Sequence, residues 1–340
     1  MILTWRDRGR RKDMIFDGHG DIWTDVTCRR IEHQEHDVFR RRHLKKFREG
    51  NVFGGIFVIW IDPPHDKDPV KRSAQIVESI RAEQKEASDI LQPVTCFRDF
   101  ETGAAAGKIN VVTGMEGLSQ IGEDIDRIDC FYEEAGARHA MLTWNEQNAL
   151  AAGWPQDKEQ GLTKAGVKAV RRIRDLGMVM DVSHLNDKGF WDVMRLAGGP
   201  VIASHSNARS ICPAMRNLSD DMLKEIAGTD GLVGMNSLRE FIDEKYENQT
   251  VERLADHVEY IADLIGIRHL GLGYDFDDYL GREALGSFSS NLDCPSGRGI
   301  SNEAEAGNLL KVLKGRGYTD EELNAVAYGN FFRVFKAVWK

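Results

Sequence analysis

Eight short β-branched runs recur along the chain with helix-like stretches between them, and this alternation limits the fold more than any other feature. The runs cover residues 15–21, 52–60, 110–116, 139–144, 178–184, 201–205, 232–236 and 269–275. Helix-like segments lie at 69–91, 124–135, 163–176, 187–196, 219–227 and 251–265, with start signals such as Thr163 and Ser219-Asp220-Asp221. Strand and helix repeated without a cluster of hairpins predict a parallel sheet covered by helices. Eight such units favour a closed (β/α)8 TIM barrel over an open doubly wound sheet, and no GxGxxG follows the first run to support dinucleotide binding. Residues 303–316 and 321–336 read as extra C-terminal helices, and 281–299 as a long loop after the eighth strand. No linker or internal repeat divides the 340 residues, so one domain spanning 1–340 is expected.

The net charge of −9 argues against nucleic-acid binding, which needs clustered Lys and Arg. A basic run does include Arg29, Arg40, Arg41, Arg42, Lys45, Lys46 and Arg48, but Glu32, Glu35 and Asp37 interleave it, so it reads as a solvated helical insertion. The five cysteines are scattered without a CxxC pair and fit reduced thiols. The basic first fourteen residues lead into no apolar stretch, as a secretory signal would, and no run of about 18 apolar residues occurs. A cytoplasmic location without a membrane anchor is the expectation.

The functional signal lies in where the polar residues fall. Five of the eight runs finish on metal-capable or acidic side chains: Asp17-Gly-His19-Gly-Asp21, Met115-Glu116, Asp181-Val-Ser-His184, Ala203-Ser-His205 and Tyr274-Asp275-Phe-Asp277. His19 and Asp21, two apart on a strand, project from one face. In a barrel the C-terminal strand ends converge on one mouth. A single histidine there is ordinarily structural, and an aspartate after a strand is often a helix cap. Together, however, His19, Asp21, Glu116, His184 and His205 would be costly to bury without a cation. Three imidazoles and two carboxylates suit zinc with no thiolate, and one carboxylate can bridge two ions about 3.5–4 Å apart. The other histidines, His33, His36, His43, His65, His139, His257 and His269, read as structural or solvent-facing, with His139 and His269 opening strands at the end opposite the site.

These motifs, together with Pro200-Val-Ile-Ala-Ser-His205-Ser and Arg216-Asn217-Leu-Ser-Asp220-Asp221, resemble in order and spacing the membrane (renal) dipeptidase family of zinc hydrolases within the amidohydrolase-like barrels. The likeness runs from Asp17 to about Asp277 and is nearest to the family's soluble bacterial-type members. It implies a binuclear zinc dipeptidase with two Zn2+ per chain. His19 and Asp21 would hold one ion and His184 and His205 the other, with Glu116 bridging. Arg216 matches the guanidinium that grips the substrate's terminal carboxylate, and Asp275 the acid that guides a metal-bridging hydroxide and then protonates the leaving amine. The implied partner is a small peptide substrate, and a homodimer is one assembly open to the chain.

Two departures stand out. The mammalian members carry a histidine at the end of the fourth strand, beside the substrate carbonyl, where this chain has Trp144 and Asn145, a pair shared by bacterial-looking relatives. Both residues are expected at the substrate. No secretion signal or lipid-anchor tail like those of the animal enzymes is expected. Other amidohydrolase reactions, on N-acyl amino acids or cyclic amides, are the alternative reading. A phosphoesterase would want more basic residues at the strand ends, and a non-catalytic binding protein would not be expected to keep every ligand together with Asp275.

Overall fold

A computed structural model describes residues 14–339; Lys340 and residues 1–13, which hold nearly all of the basic leader considered above, lie outside the described residues. Among the described residues nine strands occur in chain order: β1 (Ile15–Gly20), β2 (Val52–Trp60), β3 (Leu91–Pro93), β4 (Ile109–Glu116), β5 (Ala137–Met141), β6 (Val179–Asp181), β7 (Val201–Ala203), β8 (Leu232–Met235) and β9 (Leu270–Leu272). Eight of them pair in parallel in the order β1-β2-β4-β5-β6-β7-β8-β9. Helices and loops cover the outside, which makes a nearly closed (β/α)8 TIM barrel. At the seam between β9 and β1 a side chain helps to close it: the Tyr274 backbone N–H donates to Asp17 Oδ1 at 2.9 Å.

The strands are buried on both faces, as parallel barrel strands must be when helices pack on one side and the core on the other. Predicted helix starts coincide with real caps, since the hydroxyls of Thr163 and Ser219 accept backbone N–H groups from Gly166 and Met222. At the C-terminus the helices Asn308–Gly315, Asp320–Asn324 and Asn330–Val338 return to the sheet. Phe331 and Phe335 stack around Phe16 near the start of β1, each at 5.5 Å between ring centres. The extra helices therefore seal the barrel on the side away from the strand ends.

Three expectations change in detail. Several runs read as ending on functional side chains stop being strands two or three residues earlier; β6 ends at Asp181, β7 at Ala203 and β9 at Leu272. A short strand, β3, and the helix Phe97–Ala106 were not anticipated; β3 pairs with β4 outside the eight-stranded path. The basic run is helical, but it is not simply solvated. Arg30 bridges to Glu83 and Glu86, Arg40 to Asp37 and Asp89, and Arg42 to Glu35. Acidic partners up to about fifty residues away pin this segment to the helix Pro69–Glu86 and the turn behind it.

None of the five cysteines forms a disulfide. No helix among the described residues is long and apolar enough to cross a membrane.

Candidate metal centre

At the C-terminal ends of the strands, side chains from five different βα units meet. His19 lies in β1, Asp21 follows it at the start of the helix Ile22–Glu32, and Glu116 is the last residue of β4. His184 and His205 stand in the turns after β6 and β7, and Asp275 in the turn after β9. His184 and Asp275 both adopt left-handed backbone, at φ 68° and 59°, a conformation that non-glycine residues keep only where surrounding contacts enforce it. Turns of this kind aim a side chain back over the barrel mouth, which a continuing strand would not do. Close approach helps too: a Cβ on Gly234 or Gly273 would come within 1.9 or 1.7 Å of the Ser204 carbonyl oxygen, so glycine at both positions lets β8 and β9 crowd the backbone just before His205.

Glu116 is central. Its Oε2 stands 3.2 Å from His19 Nε2 and its Oε1 3.0 Å from His184 Nε2 and 3.8 Å from His205 Nε2. His19 Nε2 is also 4.0 Å from Asp21 Oδ2 and 3.5 Å from Asp275 Oδ1, and the His19 and His205 rings stack at 3.8 Å. The ligand atoms of His19, Glu116 and His205, and those of His19, Asp21 and Asp275, gather closely enough to share a cation. All six residues are buried.

The electrostatics expose what such a cluster costs. Burial pushes the Asp21, Asp275 and Asp277 carboxyls up, and their negative neighbours push further. Burial alone would lower His19, yet Glu116, Asp275 and Asp21 raise its imidazole to about 10, so a proton there offsets the surrounding acids. His184 is lowered to about 4 and His205 well below its ordinary value, first by burial and then by nearby cations including Arg216. Both present neutral nitrogens at neutral pH. His19 Nδ1 and Nε2, Asp21 Oδ1, Glu116 Oε2 and both Asp277 oxygens are buried without a hydrogen-bond partner. Neutral imidazoles and orphaned carboxylate oxygens converging on one point are the donor set of a hard or borderline divalent metal.

Around this centre, Arg216 is 4 % exposed and donates from Nη1 to Ser206 Oγ at 2.6 Å, while its Nε and Nη2 have no partner. Burial lowers its guanidinium to about 10, against the pull of Asp275, Asp181 and Glu116, so it stays charged at neutral pH. Asp275 Oδ2 accepts from Asn236 Nδ2 at 3.0 Å. Trp144 lies 6.4 Å from the His184 ring and joins Trp60 and Phe288 in an aromatic group at the mouth. Asn145 turns its Oδ1 towards His184 Nδ1 at 2.9 Å.

Supporting residues escaped the sequence reading. Asn236 closes the seventh run and carries no charge to single it out, and Ser206 is the neutral residue that follows His205. His139 does not open its strand but sits mid-β5, and its Nε2 meets Asp181 Oδ2 at 2.7 Å in the barrel interior. His43, read as part of a solvated segment, is buried against Asp25.

Fold and centre together define a TIM barrel with a cluster at its mouth that could hold a metal ion. Residues 10–340 match the model of the membrane dipeptidase family, peptidase family M19. Dipeptidase aclJ of Aspergillus oryzae is 28 % identical over 339 residues, covering 94 % of this chain and 77 % of its own length. An uncharacterized protein in the pqqA 5′ region of Klebsiella pneumoniae is 32 % identical over 238 residues, covering 67 % and 81 %. A metallopeptidase from Rhodobacter sphaeroides, solved with a phosphinate mimic of the dipeptide L-Ala-D-Ala, superposes with a TM-score of 0.84 at 23 % identity, over 96 % of this chain and all of that one. The chain belongs to the membrane dipeptidase family and is an enzyme of that kind, a metal-dependent peptide-bond hydrolase.

Proposed function

We propose that the chain, acting as one catalytic domain, hydrolyses dipeptides that carry a free C-terminal carboxylate, with two zinc ions held by His19, Asp21, Glu116, His184 and His205. Bound there, the ions would polarise the scissile carbonyl and make water a nucleophile at neutral pH.

The observation that carries the substrate assignment is Arg216. A guanidinium held at Nη1 by Ser206 keeps Nε and Nη2, two parallel donors on one edge, without partners inside the site. That edge fits both oxygens of a carboxylate, and burying a charged fork in this way is costly unless a ligand completes it. Asp275, whose Oδ2 accepts from Asn236, would take a proton from the attacking water and return it to the departing amine nitrogen. Trp144, whose ring lies beside that of His184, would narrow the pocket as an apolar wall.

A panel of L,L and L,D dipeptides, their C-terminal amides, N-acyl amino acids and cyclic amides tests the reading, with zinc measured on the same preparation. Turnover of free dipeptides well above their amides is expected. Preference for N-acyl amino acids would move the assignment to the deacylases, and preference for amides or cyclic amides would remove Arg216 from the carboxylate.

A further inference from the structure

We propose that Asn145 and Trp154 form a clip that fixes the tautomer and direction of the His184 ring, and so decide which of its nitrogens is offered to a metal. The inference builds on the metal reading above and concerns how this chain makes one of its ligands.

The argument starts from an atom that can only donate. The indole Nε1 of Trp154 carries a hydrogen and has no lone pair to accept with. It lies 2.8 Å from the Asn145 side chain, so the atom facing it must be the amide oxygen. The same Oδ1 lies 2.9 Å from His184 Nδ1. An oxygen can only accept, so His184 must carry its proton on Nδ1, and the lone pair of the neutral ring sits on Nε2. Nε2 is the atom 3.0 Å from Glu116 Oε1 and 2.9 Å from His205 Nε2, at the centre of the cluster. An indole hydrogen thus sets an amide, and the amide sets an imidazole.

The backbone reinforces the arrangement. The Trp154 N–H donates to the His184 carbonyl at 2.7 Å, Asn186 N–H donates to Ala152 O at 3.2 Å, and Gly153 pairs antiparallel with Leu185. The segment after β5 is therefore laced to the turn that holds His184 at φ 68°. These bonds supply the contacts that keep a non-glycine residue there. With Oδ1 occupied twice, Nδ2 is the end of Asn145 left for a substrate, so the positioning role adds to the expected place of this residue at the substrate and does not compete with it. Partners of this type, which hold the outer nitrogen of a ligating histidine, typically change metal affinity by about 10–100-fold when removed.

The test uses the full-length chain with Asn145→Leu, Asn145→Asp and Trp154→Phe, and two readouts. Zinc affinity is measured by competition with a chelator, and the His184 ring nitrogens are observed by 15N NMR. Asn145→Leu should weaken one zinc equivalent by about 10–100-fold and leave the other near wild type. Asn145→Asp retains acceptor oxygens and should keep both equivalents. Trp154→Phe frees the amide to turn over and should fall between them. Wild-type His184 should show its proton on Nδ1. Wild-type zinc affinity in Asn145→Leu, or a proton on Nε2 in the wild type, would overturn the clip. A wild type that takes up no zinc but keeps the Nδ1 proton would support the clip and remove the metal reading beneath it.

Discussion

The Nε2 atoms of His184 and His205 stand 2.9 Å apart, although the two residues follow different strands and are separated by twenty-one positions. Two bare lone pairs would repel at that distance, so either one neutral ring carries its hydrogen on Nε2 and donates it to the other, or a cation lies beside both. Burial and Arg216 hold both rings below their ordinary protonation range. Either arrangement leaves both rings uncharged, and Glu116 links the pair to His19 on the other side.

Glu116→Gln keeps the shape and removes the charge that joins the two halves of the centre. Zinc content should drop from close to two equivalents to fewer than one, and activity should fall with it. Chelation of the wild type should lower Tm, because ligands that bind only the folded chain stabilise it by mass action. A fully active protein free of metal by elemental analysis would contradict the entire reading of the site.

Arg216→Lys retains the positive charge and loses the fork. With a free dipeptide, kcat/KM should fall by at least about tenfold, roughly 1.4 kcal/mol of transition-state stabilisation. With the corresponding dipeptide amide the loss should be much smaller, since wild type is already without its partner. Equal losses on both substrates would show that Arg216 recognises something other than the carboxylate.

The sequence carried the barrel and the list of ligands for one reason. In parallel barrels every strand ends on the same face, so metal-capable residues near the ends of five of the eight apolar runs are already a statement about three-dimensional convergence. What it could not carry is the turn geometry: His184 and Asp275 read as strand residues because apolar spacing continues past the last ladder bond, and only the left-handed backbone reveals that both have turned inward. Partner choice was equally hidden. His139 meets Asp181 forty-two residues away, and Arg30 meets Glu83 and Glu86 more than fifty away, and neither distance has a period that a reader could follow. Trp154 went unnoticed because its role is exercised through a hydrogen on one neighbour.

Away from the centre, His257 predicts how stability responds to acid. It is buried, its Nδ1 accepts from Ala208 N–H at 3.1 Å and its Nε2 faces Ile242 O at 2.8 Å, so the neutral ring satisfies both bonds. Burial lowers it to about 4. The unfolded chain takes up this proton below about pH 6.5 and the folded chain does not. The stabilisation is therefore complete above that value and disappears as pH falls towards 4, a span worth about 3 kcal/mol. Urea denaturation between pH 7.5 and 4.5 should give a shallower acid slope for His257→Gln than for wild type, whatever their difference at pH 7.5. Parallel curves would mean that His257 is protonated in the fold.

Asp275 offers the sharpest separation of chemistry from architecture. Its Oδ1 faces His19 and its Oδ2 is held by Asn236, so the carboxylate spans the gap between ligand and support. Asparagine at this position preserves size and can still hydrogen-bond, but it cannot carry a proton from the attacking water to the leaving amine. Asp275→Asn should therefore lower kcat by about 10² or more, the scale of a lost general acid or base. Zinc content, Tm and KM should stay near wild type, because the five ligands and Arg216 are untouched. A loss of zinc alongside activity would instead make Asp275 a ligand, an outcome that its 3.5 Å approach to His19 keeps within reach. Should the variant retain zinc and turn over its best substrate nearly as fast as wild type, the proton must travel by another route, and Asp275 would be a structural acid held up by its burial.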